Sequence, residues 1–200
     1  MADRADHDPD RALLARHGAR LLDLARASVL HGAEFGRPLP VDPANEPPAL
    51  RALRATQVVL RARRGVEGTD PARRAGSVRA WRPLLADVSA NAFAAAFADR
   101  RHAPLRPEER FDLAIAVMLL GEPQALGAGD AGAHLRAGED GVLVEWDGGS
   151  LALFPEAWPH APTPAEFLAE ALRRALSQGL APGAEPRLYR FSVAAVADPS

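Results

Sequence analysis

Apolar positions recur at helical spacing in three stretches of the chain. From Pro9 to about Gly32, leucines and alanines return every three or four residues, while arginines and aspartates occupy the positions between them. The same spacing follows Pro83 and again follows Thr163. Such spacing predicts amphipathic helices, each with one apolar face against a core. Proline at the first helical position and the capping box Thr163-x-x-Glu166 mark where these helices begin.

Strand patterns lie between the predicted helices. Segments with alternating or continuous apolar residues are 56–63, 111–120, 142–146, 151–154 and 188–196, with a weaker one at 73–79. Glycines at 148–149 predict a hairpin turn. Each half of the chain therefore predicts the order hairpin, helix, strand, which is a repeat of architecture without visible sequence identity. Hairpins followed by helices predict an α+β fold, because a parallel sheet needs a helix between every pair of strands.

The chain is long enough for one good core or two small subdomains, at 200 residues. We expect residues 1–8 to form a flexible tail and residues 9–197 to form a single domain. The N-terminal residues are polar and lack an apolar segment, so no signal peptide is predicted. The longest apolar run, 113–120, is far shorter than the roughly 20 residues that span a bilayer. We therefore expect a cytoplasmic protein with no membrane partner.

Composition excludes several kinds of chemistry. The chain has no cysteine, which removes disulfides, thiolate zinc sites and cysteine nucleophiles. The formal net charge of −2 gives no general reason to expect a nucleic acid partner. No cofactor or metal is predicted. His31 and Glu34 are spaced so that both could bind one metal ion, but the sequence offers no third ligand beside them.

Two further motifs receive a structural interpretation. Residues 127–132 match G-x-G-x-x-G, but no strand runs directly into them and no full helix follows, so we interpret them as a loop. Trp158, in the stretch F-P-E-A-W, could mark a binding surface if exposed. We favour the alternative that it closes the core under a tight turn.

All 24 basic residues are arginine, and they are dense between residues 51 and 106. The candidate ligand-binding residues are Arg73, Arg74, Arg79, Arg82, Arg100 and Arg101. Planar, permanently charged guanidinium groups suit carboxylates and phosphates, so these residues predict an anion site or a contact with an acidic partner or an RNA backbone. The alternative is a solvated sheet edge that the arginines protect against aggregation.

Six stretches carry a family resemblance, and their order and spacing fit together. They are Leu21–Ser28, Arg82–Leu84, Ala94–Leu105, Gly138–Val144, Phe154–Trp158 and Leu188–Phe191. Over about residues 13–196 the chain resembles the AMMECR-domain family, protein A of the so-called AmmeMemoRadiSam system. The resemblance implies two hairpin-helix-strand repeats that form one largely antiparallel sheet flanked by helices. The family has no settled activity, but its members often occur beside Memo-like and radical-SAM proteins, which are therefore implied as partners.

The chain departs from the family at its hallmark, an L-R-G-C-I-G segment followed by S-L-E-P-x-R-P-L, which lines a cleft. Residues 71–84 here are P-A-R-R-A-G-S-V-R-A-W-R-P-L. An ungapped alignment on residues 82–84 places Arg74 at the cysteine position, and a register with a deletion places Ser77 there instead. Either register lacks the thiol and therefore any thiolate chemistry. A second departure is D-R-R-H at 99–102, where the family tends toward D-P-R-F.

Three hypotheses about function follow. We favour a diverged AMMECR-like domain that binds an anionic ligand or a protein partner through an arginine-rich cleft, because the cleft cysteine is absent. The second is an enzyme of the AmmeMemoRadiSam pathway in which Ser77 and His102 replace that cysteine, which requires a base within hydrogen-bond reach of the hydroxyl. The third is a structural subunit of a larger complex.

Overall fold

The protein is described by a computed structural model that covers residues 9–63, 72–127 and 132–199. Two predictions lie outside these residues in whole or in large part: the tail at 1–8 and the glycine-rich loop at 127–132. The structure confirms the α+β class, because helices are combined with strands whose described pairings are antiparallel.

The helices are α1 (Pro9–Phe35), α2 (Pro48–Arg51), α3 (Leu84–Phe97) and α4 (Pro164–Ser177). The strands are β1 (Ala55–Ala62), β2 (Arg73–Gly76), β3 (Leu113–Leu120), β4 (Gln124–Ala125), β5 (Asp140–Trp146), β6 (Gly149–Leu153) and β7 (Arg187–Ala197). Short 3₁₀ turns occupy Glu109–Phe111 and Pro155–His160. Each half contains the predicted order of hairpin, helix and strand: β1-β2, α3, β3 and then β5-β6, α4, β7.

The chain forms two compact units, Met1–Leu120 with Ala194–Ser200 and Gly121–Val193. Strand β7 contributes residues to both, with 187–193 in the second unit and 194–197 in the first. The single domain expected over residues 9–197 stays a prediction.

In the first unit an antiparallel sheet carries helices on one face. β1 lies between β2 and β3, with Val59 opposite Arg74 and Val58 opposite Val117. α1 and α3 pack on the face that presents Val58 and Val117. The core on this face includes Leu21, Leu24, Val29, Leu60, Leu84, Leu85, Val88, Ile115 and Leu119.

Helix α3 begins directly after Pro83, as the apolar spacing predicts. The residues expected on its apolar face are all buried: Leu84, Val88, Ala92, Ala95 and Ala96. Because α3 packs against α1, β1 and β2, it fixes the two segments that flank it, residues 77–83 before it and 98–105 after it.

The last residues of β7 are held to the first unit by Asp198. Its backbone N–H donates to the carbonyl of Ile115, and its carboxylate accepts the N–H of Ile115. The carboxylate also pairs with Arg26 and Arg63. Burial raises the pKa of Asp198, but the hydrogen bonds from Arg26 and Ile115 and the two arginine charges outweigh it, so the net shift is downward.

The second unit is built on the β5–β6 hairpin. β7 pairs antiparallel with β5 and also with the short β4. Helix α4 starts at the predicted capping box, in which the Thr163 hydroxyl accepts the Glu166 N–H and the Glu166 carboxylate accepts the Thr163 N–H. Phe167, Ala171 and Ala175 of α4 are buried against the sheet core of this unit.

Trp158 closes this second core, as expected. It is buried, its ring stacks on Phe167 with centroids 4.0 Å apart, and its indole N–H donates to the carbonyl of Asp140. Trp158 is therefore part of the core at this corner and does not present its ring on the surface.

Several predicted strands differ from the observed ones. β3 begins at Leu113 and not at the predicted residue 111, because Glu109–Phe111 forms a 3₁₀ turn in which Phe111 is exposed. β2 ends at Gly76, three residues before the predicted end, because Ser77 enters a bend in which its hydroxyl bonds to the backbone of Arg79. β1 was expected to alternate, yet all residues from Ala55 to Leu60 are buried. A central strand can be covered on both faces, and period-two patterns then disappear.

The spacing of apolar residues did not predict α2 or β4, because these elements are too short to show a repeat. Within the described ranges, no helix combines the length and the apolar character that a membrane crossing requires.

Candidate functional site

The segment that departs from the family hallmark forms the outer strand of its sheet. Among the described strands, β2 pairs only with β1, with Leu60 opposite Arg73 and Val59 opposite Arg74. Successive side chains of a strand lie on opposite faces. Arg73 therefore shares the face of Leu60, toward α3, and Arg74 shares the opposite face with Val59. These two neighbours in sequence cannot act on one ligand from the same side of the sheet.

Asp99 connects β2 to the loop after α3. One oxygen of its carboxylate accepts the backbone N–H of Arg74 at 2.9 Å. Both oxygens accept from the guanidinium of Arg101, at 2.9 and 2.6 Å, and His102 Nε2 lies 3.8 Å away. We call Arg74, Asp99, Arg100, Arg101 and His102 the Asp99 cluster. It joins the degenerate hallmark to the D-R-R-H segment, the two places where the chain departs from the family pattern.

The electrostatics of the Asp99 cluster follow from the burial of that carboxylate. The side chain of Asp99 is only 5% exposed, whereas that of Arg101 is 59% exposed. The hydrogen bonds from the Arg101 side chain lower the pKa of Asp99 well below its ordinary value, against the opposing effect of burial. The same hydrogen bonds raise the pKa of Arg101. Asp99 is therefore ionised and already paired at neutral pH.

Two guanidinium groups of the cluster are left without a partner within the described part of the chain. Neither Arg74 nor Arg100 makes a side-chain hydrogen bond or ion pair there. With three arginines and one aspartate, and with histidine counted as uncharged, the formal charge of the cluster is +2. Two cationic groups that no carboxylate neutralises are suited to bind an anion.

Arg73 lies in a different place, at a small cavity of about 90 Å³. The cavity is lined by Leu60, Arg61, Ala62, Arg73, Leu105, Glu109, Asp112 and Leu113. Arg73 also donates a hydrogen bond to the carbonyl of Ala103. The pKa of Glu109 is lowered mainly by a hydrogen bond from the Arg106 N–H, and to a smaller extent by the charge of Arg73. Because two arginines face two carboxylates, the cavity has no net preference for an anion.

Arg82 lies at the other end of β2, beside the start of β1. Its Nε donates to Asp87 at 3.1 Å, and its guanidinium carbon lies 3.8 Å from the centre of the Trp81 ring. Asp87 is buried and also accepts hydrogen bonds from the backbone and hydroxyl of Thr56 and from Asn91. This network anchors the start of α3 to β1 and holds Arg82 in place.

Ser77 and His102 are not brought together by a hydrogen bond. The Ser77 hydroxyl donates to the carbonyl of Arg79 and accepts its N–H, whereas His102 lies beside Asp99. Arg79 itself is exposed in the bend after β2. A serine nucleophile needs a base within hydrogen-bond reach, and none contacts this hydroxyl in the described ranges.

The six candidate arginines are thus distributed over separate surfaces. Arg74, Arg100 and Arg101 belong to the Asp99 cluster. Arg73 lies at the cavity, Arg82 lies beside Trp81, and Arg79 lies in the bend after β2. Sequence reasoning missed Asp99 and Asp87, the two buried carboxylates that organise these places. The available signals were the aspartate that D-R-R-H shares with the family's D-P-R-F, and the spacing of Asp87 five residues after Arg82.

No metal centre accompanies these groups. Across residues 9–63, 72–127 and 132–199, no three histidine, aspartate or glutamate side chains are placed to hold a metal ion.

Comparison with known proteins agrees with the class that the fold defines, an α+β domain of two hairpin-helix-strand repeats. A model of the AMMECR1 family matches residues 22–196. The chain belongs to the AMMECR1 family.

Two individual proteins illustrate the relationship. The chain is similar to a protein of Sulfolobus acidocaldarius, with 39% identity over 74 residues. The matched segment is 36% of this chain and spans about a third (33%) of that relative. The crystal structure of the uncharacterized protein PH0010 from Pyrococcus horikoshii is similar over 90% of each chain, with a TM-score of 0.77 and 25% identity.

Proposed function

We propose that this AMMECR1-family chain acts by binding and that the Asp99 cluster is its working surface. The ligand is anionic, a phosphate or carboxylate group of a small molecule or of a partner protein. The observation that carries the proposal concerns the carboxylate of Asp99, which is already paired with Arg101. Arg74 donates its backbone N–H to this carboxylate and Arg100 follows it in the chain, and neither guanidinium has an acidic partner of its own in the described ranges.

The arrangement of the Asp99 cluster supports recognition of a ligand by the positions of its cationic groups as well as by their charge. The N–H of Arg74 on Asp99 fixes the backbone of β2 against the loop that carries Arg100. The two guanidinium groups therefore project from backbones that are joined to each other. Because these backbones are already ordered in the free protein, a ligand that binds them causes a smaller loss of conformational entropy. The loss of the family's cleft thiol removes a nucleophile but leaves this arrangement intact.

The resemblance to AmmeMemoRadiSam protein A supplies one concrete set of partners, the Memo-like and radical-SAM proteins. An acidic surface on either would be recognised by the same two guanidinium groups. Among the described residues, no contact favours the catalytic alternative, in which Ser77 and His102 act together, because the Ser77 hydroxyl is bonded to the backbone of Arg79.

The test is a thermal-shift and calorimetry series with inorganic pyrophosphate and citrate at low and at high salt. An anion at 100 times its dissociation constant adds about 2.7 kcal/mol of stability, which is a clear shift. We expect a shift that salt reduces and that the double variant Arg74→Ala, Arg100→Ala abolishes.

Two single variants serve as controls. Arg16→Ala removes an exposed arginine on the solvent side of α1 and should leave the shift unchanged. Arg73→Ala should also leave it unchanged, because Arg73 lies on the other face of β2. No shift with either anion, or the same shift in the double variant, would contradict the proposal.

A further inference from the structure

An apolar surface lies at the opposite end of β2 from the Arg73 cavity. Trp81 and Leu53 are both 62% exposed. Leu53 forms a β-bridge with Pro83, so the two segments run side by side. We call Leu53, Trp81, Arg82 and Pro83 the Trp81 surface.

The backbone beneath the Trp81 surface is fixed. The Leu84 N–H donates to the carbonyl of Ala52 at 2.9 Å, and the Arg54 N–H contacts the carbonyl of Arg82 at 3.4 Å. The indole is also held, because the Arg82 guanidinium stacks on it while the Arg82 Nε is bonded to the buried Asp87. The surface is therefore a preformed one that does not have to be ordered when a partner binds.

The charge around the Trp81 surface is positive. Arg82 is part of it, and Arg51 is exposed next to the Ala52–Leu53 segment. Asp87, which accepts the hydrogen bond of Arg82, is 1% exposed, and the Asp10 carboxylate is buried and pairs with Arg54. Neither carboxylate is available on the surface to repel an acidic ligand.

We propose that the Trp81 surface docks an acidic segment of a partner protein, with an apolar side chain of that segment placed against Trp81 and Leu53. Tryptophan and arginine are the residue types that most often dominate the energy of protein interfaces. The apolar pair supplies the contact area, and Arg82 with Arg51 selects carboxylates that flank the apolar anchor. This site is separate from the Asp99 cluster and does not depend on the function proposed for it.

The test uses a displayed library of random 12-residue peptides, selected on the wild-type protein and on Trp81→Ala. We expect wild-type selection to enrich peptides in which one or two apolar residues are flanked by aspartate or glutamate. Synthetic peptides of the enriched class should then bind in fluorescence anisotropy, and Trp81→Ala should weaken them roughly tenfold or more. Leu53→Ser should weaken the same peptides by a smaller factor.

Phe111→Ala is the matched control, because Phe111 is also exposed and has an arginine, Arg110, 4.7 Å from its ring centre. It should leave peptide binding unchanged, as should the double variant Arg74→Ala, Arg100→Ala.

Several results would overturn the assignment. These are no enriched class, an enriched class without carboxylates, or equal binding by Trp81→Ala. Binding of single-stranded oligouridylate that Trp81→Ala removes would assign the surface to nucleic acid instead. Self-association of the wild-type protein that Trp81→Ala removes would assign it to a second copy of the chain.

Discussion

At the scale of single residues, the decisive groups are buried carboxylates that bear no motif. Asp99 and Asp87 each collect hydrogen bonds from a strand and from an arginine, and each thereby fixes one end of the degenerate hallmark. The arginines were visible in the sequence because their density is unusual. Their partners were harder to find: Asp99 begins the D-R-R-H segment, but nothing local shows that an aspartate accepts a backbone N–H from a distant strand.

The first prediction concerns Asp99→Asn. The pKa of Asp99 is lowered in the folded state from an ordinary value of 3.8, so the unfolded state binds more protons between the two values. The stabilisation is therefore complete above pH 3.8 and is lost as the pH falls toward the folded pKa. Asp99→Asn should cost about 1 kcal/mol at neutral pH, since Arg101 is largely exposed. The difference should shrink in acid, as measured by urea unfolding.

Glu170→Gln is the control for this pH dependence. Hydrogen bonds from Arg173 and Arg174 lower the pKa of Glu170 to about 2, but the carboxyl is on the surface, where water screens the charges. Its effect on the free energy of unfolding should be much smaller than that of Asp99→Asn. A deficit of Asp99→Asn that persists unchanged at acid pH would show that its charge is not what stabilises the fold.

At the scale of elements, the sequence predicted the helices whose apolar residues repeat over several turns or whose start is marked by a proline or a capping box. α3 and α4 were placed because their apolar residues repeat over several turns and because Pro83 and the capping box mark their starts. β2 was placed with the wrong end, since four residues at a sheet edge carry little pattern. Which strand it pairs with depends on long-range register that no local signal encodes.

Gly76→Ala is the prediction for this element. A Cβ at Gly76 would overlap the carbonyl oxygen of Thr56 and lie 2.7 Å from the Cα of Gln57, so β2 would have to move away from β1. We expect a loss of about 1–3 kcal/mol in the free energy of unfolding, the usual cost of forcing atoms into a packed site. Gly127→Ala, where a Cβ meets nothing within 4 Å, should be close to neutral in the same denaturation assay. Equal stability of the two variants would refute the close approach of β1 and β2.

At the scale of the whole molecule, two separate cores stabilise two units. The first is formed on α1 and α3 and the second on α4 and the Trp158 corner. The repeat of hairpin, helix and strand was predictable, because each half carries its own patterns. The division of the candidate arginines among four places was not, because it follows from strand register and from the faces of β2.

Phe167→Ala tests the second core. Phe167 is fully buried and stacked on Trp158, so its truncation should cost about 3–5 kcal/mol and change the near-ultraviolet circular dichroism of the tryptophans. Leu176→Ala, an exposed apolar residue on the same helix, should cost far less in chemical denaturation. Comparable losses for the two variants would mean that the stack on Trp158 contributes little.

The position of Asp99 on the outer side of β2 has a consequence for how anything can approach that edge. An outer strand normally offers its backbone to a strand from another chain, which is the usual route to aggregation and to strand-addition complexes. Here the N–H of Arg74 is already occupied by a carboxylate of its own chain. A partner that approaches β2 at Arg74 therefore cannot use this N–H for main-chain pairing, and recognition there relies more on side chains. The loop that carries Arg100 and Arg101 therefore also hinders the addition of another strand at this edge of the sheet.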